Sequence, residues 1–380
     1  MAAVMFELTD EQRAIQRLAR DFADGEVRPV ADEIDRDKRF PYEVIAKAGE
    51  LGLMGIPYSE EHGGGGAGTL AYALAIEELA RVDSSVAVTI AAHTSLGTYP
   101  IYAFGSDEQK ERYLPDLTSG RRLWSFGLTE PEAGSDAGNV RTTARLGDGH
   151  WRIDGAKQFI TNAGTEISGG VTITARTGDD EVSNIIVPRD TPGYSVEPPY
   201  RKMGWHASDT RPLSFDGATV PEENLLGERG RGVHQFLETL DGGRISVSAM
   251  GVGLAQGALD MALDYARERR AFGKPISKFQ AIQAKLADLS TEIEAARLLT
   301  YKAAALKDRG EHFGLTAAQA KLKTGRLAVR AADEAVQIHG GYGYIEEYPV
   351  CRFYRDAKIL TIGEGTDEVQ QMVIARALGA

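Results

Sequence analysis

One glutamate near the C-terminus, Glu364, stands between two glycines immediately before a predicted helix. Thr366 is a favourable N-cap residue, because its hydroxyl can accept a hydrogen bond from a free N–H of the first helical turn. Glu364 therefore lies outside that helix, on backbone that glycines allow to turn sharply or to approach a ligand. A carboxylate removed from water in a cleft acquires a raised pKa and can serve as a general base. The same local pattern also fits a solvated loop glutamate without a chemical role.

Two further stretches have ligand-binding features. The segment LTEPEAGSD, residues 128–136, supplies hydroxyls and free backbone N–H groups at a predicted domain junction. It suits a polar ring or a phosphate, and it equally fits a rigid polar loop. The run GVGLAQG, residues 251–257, is superficially similar to a dinucleotide-binding glycine pattern. Because it falls within a predicted helix and follows no strand, it is weak support for such a site.

Composition excludes several classes of protein. Of the 380 residues, 43 are Lys or Arg and 55 are Asp or Glu, a formal net charge of -12. This balance argues against a general nucleic-acid-binding protein. A single cysteine, Cys351, excludes an internal disulfide and a cysteine-rich metal centre, and we predict no metal site. The N-terminal stretch lacks the basic and apolar segments of a signal peptide, so we expect a cytoplasmic protein without a membrane partner.

The hydrophobic pattern predicts an α+β protein in three parts. Residues 1–121 are predicted to form an N-terminal helical domain, beginning with a capping-box pattern at Thr9 and Gln12. Residues 122–233 show apolar alternation and Asp-Gly turns, which are typical of an antiparallel β-barrel or sandwich domain. No helical pattern alternates with these strands, so a parallel Rossmann sheet is not expected. Residues 234–380 return to three- and four-residue spacing, which predicts a four-helix bundle.

Five motifs together resemble the acyl-CoA dehydrogenase family. They occur in the order of that family and, with the ELTDEQ and VIAR segments at the two ends, span nearly the whole chain. The motifs are LTEPEAGSD, KQFITNAG (157–164), RRAFGKPISKFQ (269–280), QIHGGYGY (337–344) and RDAKILTIGEGTDEVQ (355–370). Each motif alone is of moderate specificity, whereas five in order are highly specific. The fold of the family, helical then β then helical, agrees with the pattern described above.

The resemblance implies an FAD-dependent oxidoreductase. Glu364 matches the family's base, which removes the α-proton of an acyl-CoA thioester while a hydride leaves the β-carbon for flavin N5, giving a trans-2-enoyl-CoA. The thioester oxygen then needs preorganised donors, worth about 3–4 kcal/mol each in other oxyanion holes. In the family these donors are the backbone N–H of the base, here Glu364, and a ribityl hydroxyl of FAD. The resemblance further implies a homotetramer that passes electrons to electron transfer flavoprotein.

The resemblance also assigns binding residues. Arg269, Phe272 and Gln280 match residues that reach the adenosine-diphosphate part of FAD in a neighbouring subunit, and Gln337 and Gly341 match a loop that also holds that part. The substrate contacts are expected at Ser135, Asp241, Arg244 and Gly365. The FAD contacts are expected at Leu128, Thr129, Ser135, Phe159, Ile160, Thr161, Arg269, Phe272, Gln280, Gln337, Gly341, Thr366 and Glu368.

Two positions depart from the family pattern. Isovaleryl-type members carry their base immediately before the arginine that matches Arg244, where this chain has Gly243. Glycine cannot act as a base, which leaves Glu364 as the candidate. Straight-chain members often carry a large residue where this chain has Gly363. We therefore expect short- or medium-chain and branched acyl groups to be accepted, as in fatty acid or branched-chain amino acid catabolism.

Two other functions remain open from the sequence. An acyl-CoA oxidase would hand its electrons to oxygen, but oxidase relatives are often longer, with an added C-terminal domain. A flavin-containing nucleic-acid-binding relative would need a clustered basic surface, and the sequence has none.

Overall fold

The computed structural model describes residues 7–380. Residues 1–6, to which the expectation about a signal peptide partly refers, lie outside the described residues. The part of the chain before residue 121 is helical, and the capping box predicted at Thr9 and Gln12 is present. A π-helical turn, Ala92–Thr98, joins two of its helices. The helices are α1 (Asp10–Phe22), α2 (Ala31–Arg36), α3 (Tyr42–Glu50), α4 (Gly68–Ala80), α5 (Ser84–Ala91), α6 (Tyr99–Phe104) and α7 (Asp107–Thr118).

The middle of the chain forms a mixed β-sheet around its own apolar core. The strands are β1 (Leu123–Gly127), β2 (Thr143–Gly147), β3 (His150–Thr161), β4 (Ser168–Gly178), β5 (Glu181–Pro188), β6 (Tyr194–Val196), β7 (Thr210–Pro221) and β8 (Leu225–Leu226). Their order is β6-β7-β3-β2-β4-β5-β8, with β1 added beside β4. Most pairs are antiparallel as expected, but β1 and β2 both run parallel to β4. These two parallel pairings are possible because long connections, rather than hairpins, separate each strand from β4.

The last third is the predicted helical bundle. Its helices are α8 (Gly232–Glu268), α9 (Gln280–Asp308), α10 (Gly314–His339), α11 (Val350–Ala357) and α12 (Asp367–Ala377), and the short strands β9 (Arg270–Ala271) and β10 (Lys274–Pro275) form a hairpin after α8. The structure confirms the order helical, β, helical and the four predicted bundle helices, of which α8, α9 and α10 are long and α12 has 11 residues, and it adds the short helix α11. Thr366 caps α12 as predicted, since its hydroxyl accepts a hydrogen bond from Val369 N.

Helix α8 is the central element of the bundle. By length and apolar composition it is the one helix among the described residues that could cross a membrane, yet 83% of its most apolar window is buried inside the protein. Its GVGLAQG run serves helix packing. A Cβ on Gly253 would lie 2.1 Å from the carbonyl oxygen of Glu77, and one on Gly257 would lie 2.2 Å from that of Arg81. These glycines therefore let α4 and its C-terminus approach α8 closely. The run lies inside the continuous helix α8 and does not form a dinucleotide-binding turn.

Candidate active site

Glu364 lies on a left-handed turn between a short helical turn, Lys358–Thr361, and the start of α12. Its φ is 58° and that of Gly365 is 88°. Glycine adopts this conformation freely, whereas a residue with a side chain is strained in it by about 1–3 kcal/mol unless its surroundings hold it there. The turn lifts the Glu364 side chain out of the α12 register and toward α8.

The Glu364 carboxylate fits into a slot on α8 that exists because residue 243 is glycine. A Cβ built on Gly243 would lie 2.4 Å from Oε2 of Glu364 and 3.0 Å from Cδ2 of Leu96. Leu96 comes from the π-helical turn after α5. Because it lacks a side chain, Gly243 makes room for the carboxylate of Glu364.

The surroundings of the Glu364 carboxylate raise its pKa toward neutrality. Oε2 of Glu364 is buried and has no hydrogen-bond partner within the described chain. Burial raises the pKa of Glu364 to about 7, against the opposing charges of Arg244 and Lys321. A carboxyl group with this pKa is near the optimum for accepting a proton at neutral pH. The alternative of a solvated loop glutamate does not fit this environment.

Asp241 and Arg244, predicted to contact substrate, form an ion pair on the first half of α8. The Arg244 side chain is almost fully buried, and its Nε has no partner among residues 7–380. Burial raises the pKa of Asp241 despite the neighbouring Arg244 charge. The structure brings this pair next to Gly243 and hence to the Glu364 carboxylate, so the predicted base and substrate residues share one site.

Lys321 and Gln370 belong to the same site, and sequence reasoning did not identify them. Lys321 Nζ donates a 2.6 Å hydrogen bond to the carbonyl oxygen of Gly365, and Gln370 Nε2 donates to the carbonyl oxygens of Glu364 and Gly365. Lys321 is on α10, 44 positions from Gly365. No local signal marks it, because a lysine within a helical pattern is usually a solvated surface residue.

The loop after β1 is held by a buried ion pair. Lys157 Nζ lies 2.7 Å from Oε1 of Glu130, and both side chains are inaccessible or nearly so. The same ammonium donates to the carbonyl oxygen of Leu128, and Gln158 N donates to that of Thr129. Although burial opposes it, the Lys157 charge holds the pKa of Glu130 below its usual range. Leu128 and Thr129 are thereby fixed at the loop's base, whereas Ser135 is exposed near its tip.

The residues predicted to face a flavin ring lie at the end of β3. Phe159 has a left-handed φ of 61° and its side chain is 64% exposed, with its ring centroid 5.2 Å from that of Tyr200. Ile160 points into the sheet core, and Thr161 accepts a hydrogen bond at its carbonyl from Ser125. Of the three, Phe159 therefore presents an exposed ring on a left-handed backbone, a conformation that a residue with a side chain keeps only when its surroundings hold it.

Two of the remaining predicted cofactor residues share a cavity at the C-terminal end of α8, and three others are exposed on the elements that follow α8. Arg269 and Gly341 line a cavity of about 530 Å³, and Phe272 is 95% exposed at the tip of the β9–β10 hairpin. Gln280 and Gln337 are exposed on α9 and α10. Arg269 caps the end of α8 opposite Arg244, about 37 Å away at the rise of an α-helix. Arg269, and the cavity that it lines with Gly341, therefore lie far along α8 from the Arg244 beside Glu364 in the same chain.

Thr366 and Glu368 complete the predicted set beside the Glu364 turn. The Thr366 hydroxyl is engaged in capping α12, by a 3.3 Å hydrogen bond from Val369 N. Glu368 is exposed in the first turn of that helix, where backbone and hydroxyl donors lower its pKa.

Three family models cover the chain in the order of its three structural parts. They describe the acyl-CoA dehydrogenase N-terminal domain (residues 9–121), middle domain (125–218) and C-terminal domain (230–379). The chain is 50% identical over 376 residues to a probable acyl-CoA dehydrogenase of Bacillus subtilis, covering 98% of this chain and 99% of the relative. It is 44% identical over 372 residues to a short-chain specific acyl-CoA dehydrogenase of Clostridium acetobutylicum, covering 97% and 98%.

Solved structures match over the same length. Butyryl-CoA dehydrogenase from Megasphaera elsdenii superposes with a TM-score of 0.96 at 44% identity, covering 99% of this chain and all of that one. A chain in a structure of the electron transferring flavoprotein of Acidaminococcus fermentans matches with a TM-score of 0.96 at 44% identity, covering 98% and 99%. An acyl-CoA dehydrogenase complexed with FAD from Bacillus anthracis matches with a TM-score of 0.92 at 34% identity, covering 98% and 67%.

Proposed function

The chain belongs to the acyl-CoA dehydrogenase family of oxidoreductases, and we propose that it converts an acyl-CoA thioester to the trans-2-enoyl-CoA with Glu364 as the base. The observation that carries this proposal is the buried Oε2 of Glu364, which has no partner in the described structure and faces the slot at Gly243. A desolvated carboxylate of pKa about 7 can take a proton from the carbon next to a thioester carbonyl.

The same turn can stabilise the charge that develops on the thioester oxygen. The backbone N–H of Glu364 is fixed because the two carbonyls that follow it, of Glu364 and Gly365, are held by Lys321 and Gln370. A preorganised donor of this kind contributes about 3–4 kcal/mol to the stability of an oxyanionic transition state. The base and one oxyanion donor therefore come from one residue, Glu364.

The residues present fit FAD. The exposed ring of Phe159 offers a flat apolar surface at the edge of the β domain, near the loop that Lys157 holds. Arg269 lines a cavity in which Cβ atoms on Gly340 and Gly341 would meet nothing within 4 Å, and a guanidinium in an open cleft suits a diphosphate. When bound, FAD supplies the acceptor for the hydride equivalent that leaves the β-carbon. The similarity to the FAD complex from Bacillus anthracis supports this choice.

We also propose an oligomer in which neighbouring chains complete each other's cofactor sites. The cluster of Arg269 and Gly341 lies about 37 Å of helix away from Arg244, too far to serve a flavin beside Glu364 of the same chain. A second chain would bring such a cluster to that site. A homotetramer follows the family pattern, and the match to the chain in the Acidaminococcus fermentans structure supports electron transfer flavoprotein as the acceptor.

The central test is flavin reduction by substrate. Purified protein should contain FAD, and acyl-CoA thioesters should bleach its visible absorbance anaerobically and release enoyl-CoA. Size-exclusion chromatography with light scattering should report a tetramer. A colourless protein that refuses reconstitution with FAD, or a flavoprotein that no acyl-CoA bleaches, would contradict the proposal.

Gly363 is expected to widen the acyl site. A Cβ at this position would meet only Ile359, at 3.6 Å from its carbonyl oxygen and 3.9 Å from Cγ1, so a larger side chain could be accommodated there. We expect kcat/KM for isobutyryl-CoA within about tenfold of that for butyryl-CoA, and a loss of about 10–200-fold for the branched substrate in Gly363→Leu. A steep wild-type preference for unbranched butyryl-CoA would show that Gly363 does not set the width of the site.

Gly243 is expected to be necessary for the position of the base. In Gly243→Ala the new methyl group would overlap Oε2 of Glu364, so the carboxylate must move while the backbone stays in place. A misplacement of about 1 Å should cost about 10²-fold in the rate of flavin bleaching. Gly242→Ala is the matched control, because its methyl group would meet only the flexible end of Lys307, at 2.8 Å. Equal rates in both variants would contradict the slot.

A further inference from the structure

Lys321 carries a buried ammonium group that contacts no carboxylate directly. Its side chain is 0% exposed, and its ammonium donates one hydrogen bond, to the Gly365 carbonyl oxygen. No ion pair within 4 Å joins Lys321 to a carboxylate of residues 7–380, and burial lowers its pKa to about 8, since the charges of Asp367, Glu364 and Glu368 offset that burial only in part. Burying an ammonium that has no carboxylate in direct contact is energetically costly. A buried charge placed at a left-handed turn indicates a role for Lys321 beyond packing.

The turn that Lys321 touches is held from two helices. Gln370, fully buried in α12, donates from Nε2 to the carbonyl oxygen of Glu364 at 3.1 Å and to that of Gly365 at 3.0 Å. Lys321, from α10, donates to the second of these carbonyls. Of these two left-handed residues, Glu364 carries a side chain and keeps its conformation only when the surrounding structure holds it. Lys321 and Gln370 supply side-chain hydrogen bonds that hold this turn.

We propose that Lys321 is a positioning residue for the base: its buried ammonium, with the amide of Gln370, clamps the carbonyls of the Glu364–Gly365 turn and so aims the Glu364 carboxylate and N–H. This inference rests on the proposed function, in which Glu364 is the base. It adds to that function a residue on another helix whose charge acts on Glu364 through the turn and not through substrate.

The charge of Lys321 should also set the pH range in which Glu364 works. Charged and titratable groups interact with the carboxylate or with Lys321 from four helices: Tyr72 on α4, Arg244 on α8, Lys321 itself on α10, and Asp367 and Glu368 on α12. Asp241 on α8 reaches this set through its ion pair with Arg244. Burial raises the pKa of Glu364 to about 7, so the base is protonated and inactive below that pH. Lys321 favours the ionised carboxylate, and removing its charge must move the pKa further up.

The test is the pH dependence of flavin bleaching in Lys321→Met, which keeps the side chain's length and removes its charge and donor. We expect the limiting rate to fall about tenfold or more, the midpoint of the pH–rate profile to rise by about one unit, and KM to change little. Lys323→Met is the matched control on the same helix, because Lys323 forms a partly exposed ion pair with Glu292. It should keep the wild-type rate and midpoint. A wild-type profile in Lys321→Met would overturn the proposal.

Gln370→Leu separates the clamp from the charge. Oε1 of Gln370 is buried without a partner in the described chain, so an apolar side chain of similar volume should be tolerated. We expect a lower bleaching rate with an unchanged pH midpoint. If Lys321→Met does not fold, this variant decides, and a wild-type rate would overturn the clamp. Glu364→Gln, measured in parallel, separates the two hypotheses. Rapid bleaching in Glu364→Gln would show that Glu364 is not the base. A wild-type profile in Lys321→Met, with slow bleaching in Glu364→Gln, would reject only the positioning role of Lys321.

Discussion

Glu364→Gln should retain FAD and bind acyl-CoA, yet its flavin should bleach about 10²–10⁴-fold more slowly than that of the wild type. An amide has the shape of the carboxyl group but cannot accept the α-proton, and loss of a general base costs about this much. The stability of the fold should not decrease. The substitution replaces a buried carboxylate whose Oε2 has no partner in the described structure, so it removes a desolvation cost.

The measurement is anaerobic stopped-flow absorbance with saturating acyl-CoA, together with the flavin content and the melting temperature of each variant. Glu50→Gln is the matched control, since Glu50 is exposed at the end of α3 and should bleach as the wild type does. A Glu364→Gln protein that bleaches within about tenfold of the wild-type rate would assign the base elsewhere. A variant with normal flavin content and normal melting but no bleaching is the expected result.

Lys157→Met should destabilise the protein by about 3–5 kcal/mol, because it leaves the Glu130 carboxylate buried without its counter-ion. The remaining donors are backbone N–H groups of Arg141, at 2.6 Å, and Thr142, at 3.1 Å. These cannot neutralise a charge whose side chain is only 2% exposed. Since the pair anchors Leu128 and Thr129, the dissociation constant for FAD should also rise.

Thermal and denaturant unfolding of Lys157→Met, and reconstitution of its apoprotein with FAD, give the two readouts. Adding Glu130→Gln should recover much of the lost stability, because the double variant buries no unpaired charge. Lys302→Met, on the exposed side of α9, is the control and should match the wild type. If Lys157→Met had the melting temperature of the wild type, the Lys157–Glu130 pair would contribute nothing to the stability of this loop. If it were unstable but bound FAD normally, the pair would be structural alone.

Much of the fold could be predicted from the sequence because local chemistry specifies local structure. The Thr9 capping box, the Thr366 cap and the apolar spacing of the bundle helices depend on residues three or four apart, and all are present. The two parallel pairings of β4 could not be predicted in this way. Alternating apolar residues show that a strand has a buried face, but they do not show which neighbour it joins or in which direction.

For the site, the sequence identifies a glutamate between glycines ahead of a capped helix, and it contains the motifs whose resemblance points to a flavin and a thioester. The packing of distant elements is needed to see that Glu364 is desolvated against Gly243, that Lys321 and Gln370 hold its turn, and that Arg269 lies at the other end of α8. The difference comes from the range of each effect. Caps and turns depend on a few adjacent residues, whereas a pKa, a slot or a clamp depends on atoms that distant parts of the chain bring together.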